Sequence, residues 1–373
     1  MTSAFDVVIV GAGIAGCACA REFAEAGVQV AIIERNAPGS GATAAGMGHI
    51  VVMDDSPAQL ALTHYSRSLW QKLTAELPAA AEYEERGTLW IAADGEEMAQ
   101  VYAKHAACTR AGIRSEVLDA EALGEAEPHL RPGLTGALLV PEDAVLYPPA
   151  AAVSLLQAAQ RGGARLIHGT VAGASAGAVT LSDGTTLASD HIVIATGVDM
   201  SLLPWVRLEK RKGHLVITDR YPGLVRHQLV ELGYLKSAHS TASDSVAFNV
   251  QPRITGQLLI GSSRQYRQND TIADAAVVDL MLKRAYQYMP RLAALSATRV
   301  WTGFRAATSD KLPLIGPTHD PTLYMLAGFE GLGITVAPAA ARLLVDHLLA
   351  RKSVIDLTPY LPQRMARAEA ILV

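Results

Sequence analysis

Cysteine is scarce, with three residues in 373, Cys17, Cys19 and Cys108. An odd, sparse set with two members two positions apart cannot make a disulfide framework. It also lacks any CxxC or Cys/His spacing that would hold a metal. At i and i+2 of a helix, Cys17 and Cys19 point in different directions and read as small core residues. No metal ligand set is expected. Long apolar runs are missing too: no stretch of 18 residues is free of polar groups, so no membrane span is expected. Blocks of like charge are absent, and the net charge is only -4, which gives no footprint for nucleic acid. The short basic run Lys210-Arg211-Lys212 reads as the solvated start of a strand. The first fifteen residues lack a cleavage site after their apolar run, so no signal peptide is expected. Cytoplasmic residence fits this cysteine usage, with peripheral attachment to an inner membrane left open. Finally, the chain carries no Ser/His/Asp order with an elbow motif and no standout pair of carboxylates. Both absences turn attention from hydrolysis to chemistry that a cofactor supplies.

What is present is a globular composition, half apolar and 18% charged. Phe5 to Val10 is a continuous apolar, β-branched run, the mark of a strand buried on both faces. Helical character follows from Gly13 to Glu25 and stops at Gly27, and Val28 to Ile33 is a second buried strand ending at Glu34. The spacing predicts a loop over 38–48 and helices over 57–77, 96–111, 149–161, 272–289 and from 331–333 to about 349. Strands are expected at Thr88 to Ala92, Ala164 to His168, Ile192 to Ala195 and Leu323 to Ala327. Asp183-Gly184 predicts a hairpin around Val179 and Thr186. Several longer strands with polar alternation are expected over 211–261.

The sharpest signal is Gly11-Ala12-Gly13-Ile14-Ala15-Gly16, a G-x-G-x-x-G between strand and helix. Gly11 allows the tight turn, Gly13 lets the backbone approach a pyrophosphate, and Gly16 brings helix and strand together. The helix N-terminus offers N–H groups to phosphate at Ile14 and Ala15. Glu34, 21 residues after Gly13, can accept from ribose hydroxyls, and Arg35 follows it. Strand, helix, second strand and terminal acid in that order make a dinucleotide site. Two further segments of small residues could line a long flat ligand. One holds Ala42, Thr43, Gly46, Met47 and Gly48, and the other is Ala195-Thr196-Gly197.

In these segments the chain resembles the D-amino-acid oxidase/dehydrogenase (DAO) family, which includes glycine oxidase, sarcosine oxidase and D-amino-acid dehydrogenase. The resemblance rests on 6–35, on 39–48, on 328–338, and on WTGFRAATSDKLPLIG at 301–316. That last segment is similar to the family's W-x-G-x-R-P-x-T-x-D-x-x-P-x-I-G, with Ala306 in place of proline. The resemblance implies an α/β fold: a Rossmann-like FAD-binding domain interleaved with a substrate domain on a mixed or antiparallel sheet with flanking helices. The FAD-binding parts are expected at 1–85, 145–205 and 300–373, and the substrate-binding parts at 86–144 and 206–299. It implies non-covalent FAD, because a late cysteine that tethers flavin in some sarcosine oxidase relatives is missing after Cys108. Val171 would touch the adenine end through its backbone, and Gly303 would lie with the cofactor. Gly331, Leu332, Gly333, Ile334 and Thr335 would bring a helix N-terminus to the negative charge of a reduced flavin.

Arg305 would hold the substrate's α-carboxylate, for which its planar fork is suited, with an ion pair to Asp310 as the structural alternative. Asn249 and Gln251 share one face of a strand and are candidates for substrate contact, Asn249 standing where glycine oxidase-like proteins carry tyrosine. His49 could lie near the ring, and Tyr234 and His239 could belong to a lid. The implied reaction is oxidation of a Cα–N bond in a small D- or secondary amino acid, D-hydroxyproline or D-proline for preference, by hydride transfer to flavin N5. No lysine lies between Lys236 and Lys283, where sarcosine oxidase-like proteins carry one that promotes reaction with oxygen, which favours a non-oxygen acceptor. The segments 43–55 and 248–265 look most like flavin subunits of the D-hydroxyproline dehydrogenase, opine oxidase and hydrogen cyanide synthase type. Such subunits pair with iron–sulfur partners, whose cluster cysteines this chain lacks. A glycine or sarcosine oxidase making hydrogen peroxide, and a non-catalytic flavin subunit, are the alternatives.

Overall fold

The structure, a computed structural model, describes residues 5–233 and 244–365. Two large sheets organise it. The first runs Leu314–Pro317, Leu323–Ala327, Thr186–Ile194, Phe5–Val10, Val30–Glu34, Arg165–His168. Its central pairings are parallel. The apolar runs explain this: Phe5–Val10, Val30–Glu34 and Leu323–Ala327 are buried at all positions but Asp6, so both faces must be covered. The helices Ile14–Glu25, Pro148–Arg161 and Gly333–Leu348 supply one cover, contributing Phe23, Leu155 and Leu344 to a common core. Cys17 and Cys19 are fully buried in it. The Asp183-Gly184 hairpin forms as expected, pairing Val179 with Leu187.

The second sheet has nine strands, in the order Phe329–Glu330, Ala297–Ala307, Glu209–Arg220, Gln257–Arg264, Ser245–Pro252, Gln228–Glu231, Thr88–Ala92, Gly136–Val140, Glu116–Asp119. All pairings are antiparallel except that between Gln228–Glu231 and Thr88–Ala92. One face packs on the Ala275–Tyr288 helix through Met281 and Tyr288. The other faces the first sheet's ligand loops. The expected segment boundary at 300 falls inside the Ala297–Ala307 strand of this sheet.

Three expectations need correction. The loop 38–48 contains a one-turn helix, Ala42–Ala45, made possible by Gly41 at φ +62 and Gly48 at φ +100 on either side. The 57–77 helix ends at Leu73 and tightens into a 3-10 turn over Thr74–Glu76. The basic run is solvated only at Lys210. Arg211 and Lys212 are 5% and 2% exposed, because Arg211 pairs with Glu209 and Glu330 while Lys212 binds Asp270 and the Ile272 carbonyl. Buried cations need such partners.

Candidate active site

A channel of about 510 Å³ runs between the two sheets. At one end it is lined by Gly11, Gly13, Ile14, Ala15, Glu34 and Arg35, with Val171 and Ala195–Thr196–Gly197 opposite. The turn is built as its glycines require. Gly11 has φ +105, and a Cβ on Gly16 would stand 1.9 Å from the Gly11 carbonyl oxygen. Gly16 therefore sits behind the channel wall, joining helix to strand. Glu34 accepts from Ala12 N at 2.7 Å and Asn36 N at 2.8 Å, one bond to each carboxylate oxygen. It locks the Gly-rich turn and still faces the channel. Arg35 pairs with Asp199 at 3.0 Å, joining the ends of two parallel strands. The Ile14 amide is already bound by Thr43 Oγ1 at 3.0 Å, so Thr43 caps the helix, and this N–H is not free as expected.

The middle of the channel is lined by Ala42, Thr43, Gly46, Met47, Gly48 and His49 on one side and by Gly303 and Gly331–Leu332–Gly333–Ile334 on the other. Side chains are excluded here by contact. A Cβ on Gly46 would lie 2.6 Å from Ile334 Cδ1, and one on Gly303 would lie 2.3 Å from Ala45 Cβ. Thr335 lies outside the wall and holds the loop, its hydroxyl donating to His49 O at 2.8 Å. The helix Gly333–Leu348 starts as expected, but Pro338 lies inside it rather than in its first turn. Proline has no N–H for the carbonyl four residues back. Trp70 Nε1 fills that vacancy, donating to Ile334 O at 3.0 Å and Thr335 O at 3.1 Å, and Ala339 N donates to Ser66 Oγ. The neighbouring helix thus repairs the proline break just behind the channel.

The far end is lined by Arg305, Asn249, Trp90, Val230, Arg264 and Glu330. Arg305 is half-buried, and its Nη1 donates to Ser263 O at 2.9 Å. Its guanidinium lies across Gly213, whose Cβ would meet Nη1 at 2.5 Å. Gly213 stands directly opposite Gly303 on the neighbouring strand, so two paired glycines leave the sheet face bare. Asp310, the alternative partner of Arg305, is taken by Arg364 at 2.6 and 3.1 Å. Gln251 is not in the channel wall; it donates to Met47 O at 2.9 Å and so braces the loop. His49 is in the wall, with burial pushing its pKa down to about 4, so it is neutral at physiological pH. Tyr234 and His239 lie outside the described residues.

Sequence reasoning missed Arg264 and Glu330, which are joined at 3.3 Å, and Lys311, which lines the channel and pairs with Asp55 at 3.3 Å. The lysine falls beyond the stretch in which one was sought. Its position inside the 301–316 segment was the available signal. Among the described residues no group of three His, Cys, Asp or Glu could hold a metal, and no helix is long and apolar enough to cross a membrane.

Comparison with known proteins agrees with this layout. The family model described as "DAO: FAD dependent oxidoreductase" matches residues 6–347. Glycine oxidase of Geobacillus kaustophilus is 28% identical over 96% of this chain and 97% of its own, and its crystal structure superposes with a TM-score of 0.84, covering 96% and 98% of the two chains. Hydrogen cyanide synthase subunit HcnC of Pseudomonas aeruginosa is 25% identical over 98% of this chain and 97% of its own. L-proline dehydrogenase from P. horikoshii shares the fold, with a TM-score of 0.88 at 23% identity over 99% of both chains. The glycine cradle and the smooth mid-channel fit a dinucleotide with a flat ring, and the chain belongs to the DAO family of FAD-dependent oxidoreductases.

Proposed function

We propose that this enzyme oxidises the Cα–N bond of a small D- or secondary amino acid of the proline or hydroxyproline type, and passes the electrons to an acceptor other than oxygen. The observation that carries the substrate assignment is the Arg305 guanidinium lying over Gly213 at the far end of the channel, in one wall with Asn249, Trp90 and Val230. A planar cation there suits a carboxylate held by two hydrogen bonds. Bound FAD would supply the hydride acceptor. The chain's own part is to orient: Arg305 fixes the carboxylate, while Gly303, Gly331 and Gly333 leave room for the ring. The N-terminus of the Gly333–Leu348 helix favours negative charge gathering beside it. His49 stays neutral and adds no charge to the wall. The cofactor would be held without a covalent bond, since all three cysteines are buried and none lines the channel.

A glycine or sarcosine oxidase that forms hydrogen peroxide is an equally supported reading, favoured by the glycine oxidase relatives and by Lys311 in the channel wall. That one relative is named as a synthase subunit supports a partner subunit that receives the electrons. The test is an anaerobic bleaching screen. Purified flavoprotein is mixed with glycine, sarcosine, D-proline and cis-4-hydroxy-D-proline, and the flavin band is followed. Bleaching by one compound names the substrate, and the speed of recovery in air tells oxidase from dehydrogenase. Bound flavin that no amino acid bleaches removes the proposed role of Arg305.

A further inference from the structure

One side chain at the far end has no place in the mechanism above. Gln228 is 2% exposed, in the middle of the nine-stranded sheet, one strand over from Asn249. Its Nε2 donates to Asn249 Oδ1. The other end of the same amide is Oε1, buried without a hydrogen-bond partner. The Gln228 side chain lies beside His49, whose buried Nε2 is likewise without a hydrogen-bond partner. The nitrogen end of the Gln228 amide is thus engaged by Asn249, while its oxygen end takes no hydrogen bond.

This has a consequence for the channel. A side-chain amide has one acceptor end and one donor end. With its Oδ1 engaged by Gln228, Asn249 has its Nδ2 left, and Asn249 lines the channel. We propose, on the reading of the site as one for small amino acids, that Gln228 is a positioning residue that makes Asn249 a hydrogen-bond donor. The site then selects substrates whose end remote from the α-carboxylate carries an acceptor oxygen, and it rejects those that carry an ammonium there.

The spacing supports this. Arg305 lies over Gly213 on the Glu209–Arg220 strand, and Asn249 is two strands away, opposite Gly261. Two strand spacings of about 4.8 Å and an offset of two residues of about 3.3 Å put the Gly213 and Asn249 backbones roughly 12 Å apart. A small amino acid with one hydrogen bond at each end fills such a gap. Trp90 and Val230 in the same wall suit the apolar carbons between the ends.

The test uses three ring compounds that differ only at one position: D-proline, 4-oxo-D-proline and 4-amino-D-proline. Each is added anaerobically to the flavin-loaded enzyme, and both affinity, from the shift of the flavin band, and the rate of bleaching are read. Wild-type enzyme is expected to favour the oxo compound over D-proline by about tenfold, the size of one well-placed hydrogen bond, and to bind the amino compound worst. In Gln228→Glu the carboxylate only accepts, so Asn249 must turn its Nδ2 inward and show its oxygen to the channel. The oxo preference should vanish and the amino compound should gain. Gln228→Met removes the constraint without adding charge, and its oxo-to-amino ratio should fall by about tenfold. A ratio that moves in the glutamate variant but not in the methionine variant reports charge alone and overturns the proposal. So does a wild-type enzyme indifferent to the ring substituent, a result that needs no variant to fold. If such compounds bleach the flavin but the substituent does not matter, this inference fails while the amino-acid reading stands. If none binds or bleaches, the inference falls together with the proline-type substrate reading.

Discussion

The guanidinium of Arg305 occupies the space that a side chain on Gly213 would need, the missing Cβ lying 2.5 to 2.9 Å from its atoms. Gly213 lies in the interior of a strand and has no left-handed backbone, so alanine suits its backbone. The cost of Gly213→Ala therefore falls on the arginine. The variant should keep its flavin and its melting temperature to within a few degrees. It should lose carboxylate affinity by about tenfold or more, the worth of a hydrogen bond to a charged group. Substrate KM and the binding of a simple carboxylate inhibitor check this, and unchanged values for both would refute the placement. Arg305→Lys keeps the charge but not the planar fork, and should show a similar loss rather than rescue.

Behind the channel, the proline inside the Gly333–Leu348 helix and the indole of Trp70 form a coupled pair. Trp70→Phe keeps most of the packing but strips the hydrogen bond from the Ile334 and Thr335 carbonyls, at about 1–3 kcal/mol. Pro338→Ala supplies a backbone N–H for Ile334 O. The loss from Trp70→Phe should be smaller in the Pro338→Ala background, by about 1 kcal/mol. Chemical denaturation of the four proteins measures the coupling, and strict additivity would show that the indole does not serve the proline break.

Glu34 holds the Gly-rich turn from inside through Ala12 N and Asn36 N. Glu34→Gln must turn an amide NH₂ toward one of these N–H donors, so one bond becomes a repulsion. FAD affinity should fall by about tenfold or more, with a smaller loss of stability. Titration of the apoprotein with FAD, followed by flavin fluorescence, gives the answer. An unchanged Kd would mean that the turn holds its shape without the acid.

Much of this was legible in the chain. The first strand–helix–strand unit was readable because its signals are local: buried runs, three glycines and an acid within 30 residues. The Asp-Gly hairpin and the 301–316 segment were readable for the same reason. The burial of Arg211 and Lys212 was not, because their partners Glu330 and Asp270 lie 119 and 58 residues away. Lys311 meets Asp55 across 256 residues. Gln251 was placed on the correct strand face but at the wrong depth: strand alternation fixes a side chain's face, not whether it reaches the channel or the loop above it. Gln228 belongs to no motif, and only the register of three strands brings it to Asn249.

The buried imidazole gives a pH signature. His49 has its pKa lowered to about 4, chiefly by burial, against about 6.5 in an unfolded chain. The unfolded state therefore takes up a proton between pH 6.5 and 4 that the folded state refuses. The sign follows from linkage: stability from this group is complete above pH 6.5 and is lost as pH falls from 6.5 to 4, at up to about 1.4 kcal/mol per pH unit. Gln at this position cannot titrate. Tm measured from pH 7 to pH 4 should thus fall more steeply in the wild-type flavoprotein than in His49→Gln, with the two curves parallel above pH 7. Equal slopes in the acid window would mean that His49 takes up its proton while folded, and the neutral imidazole assigned to the channel wall would then be wrong.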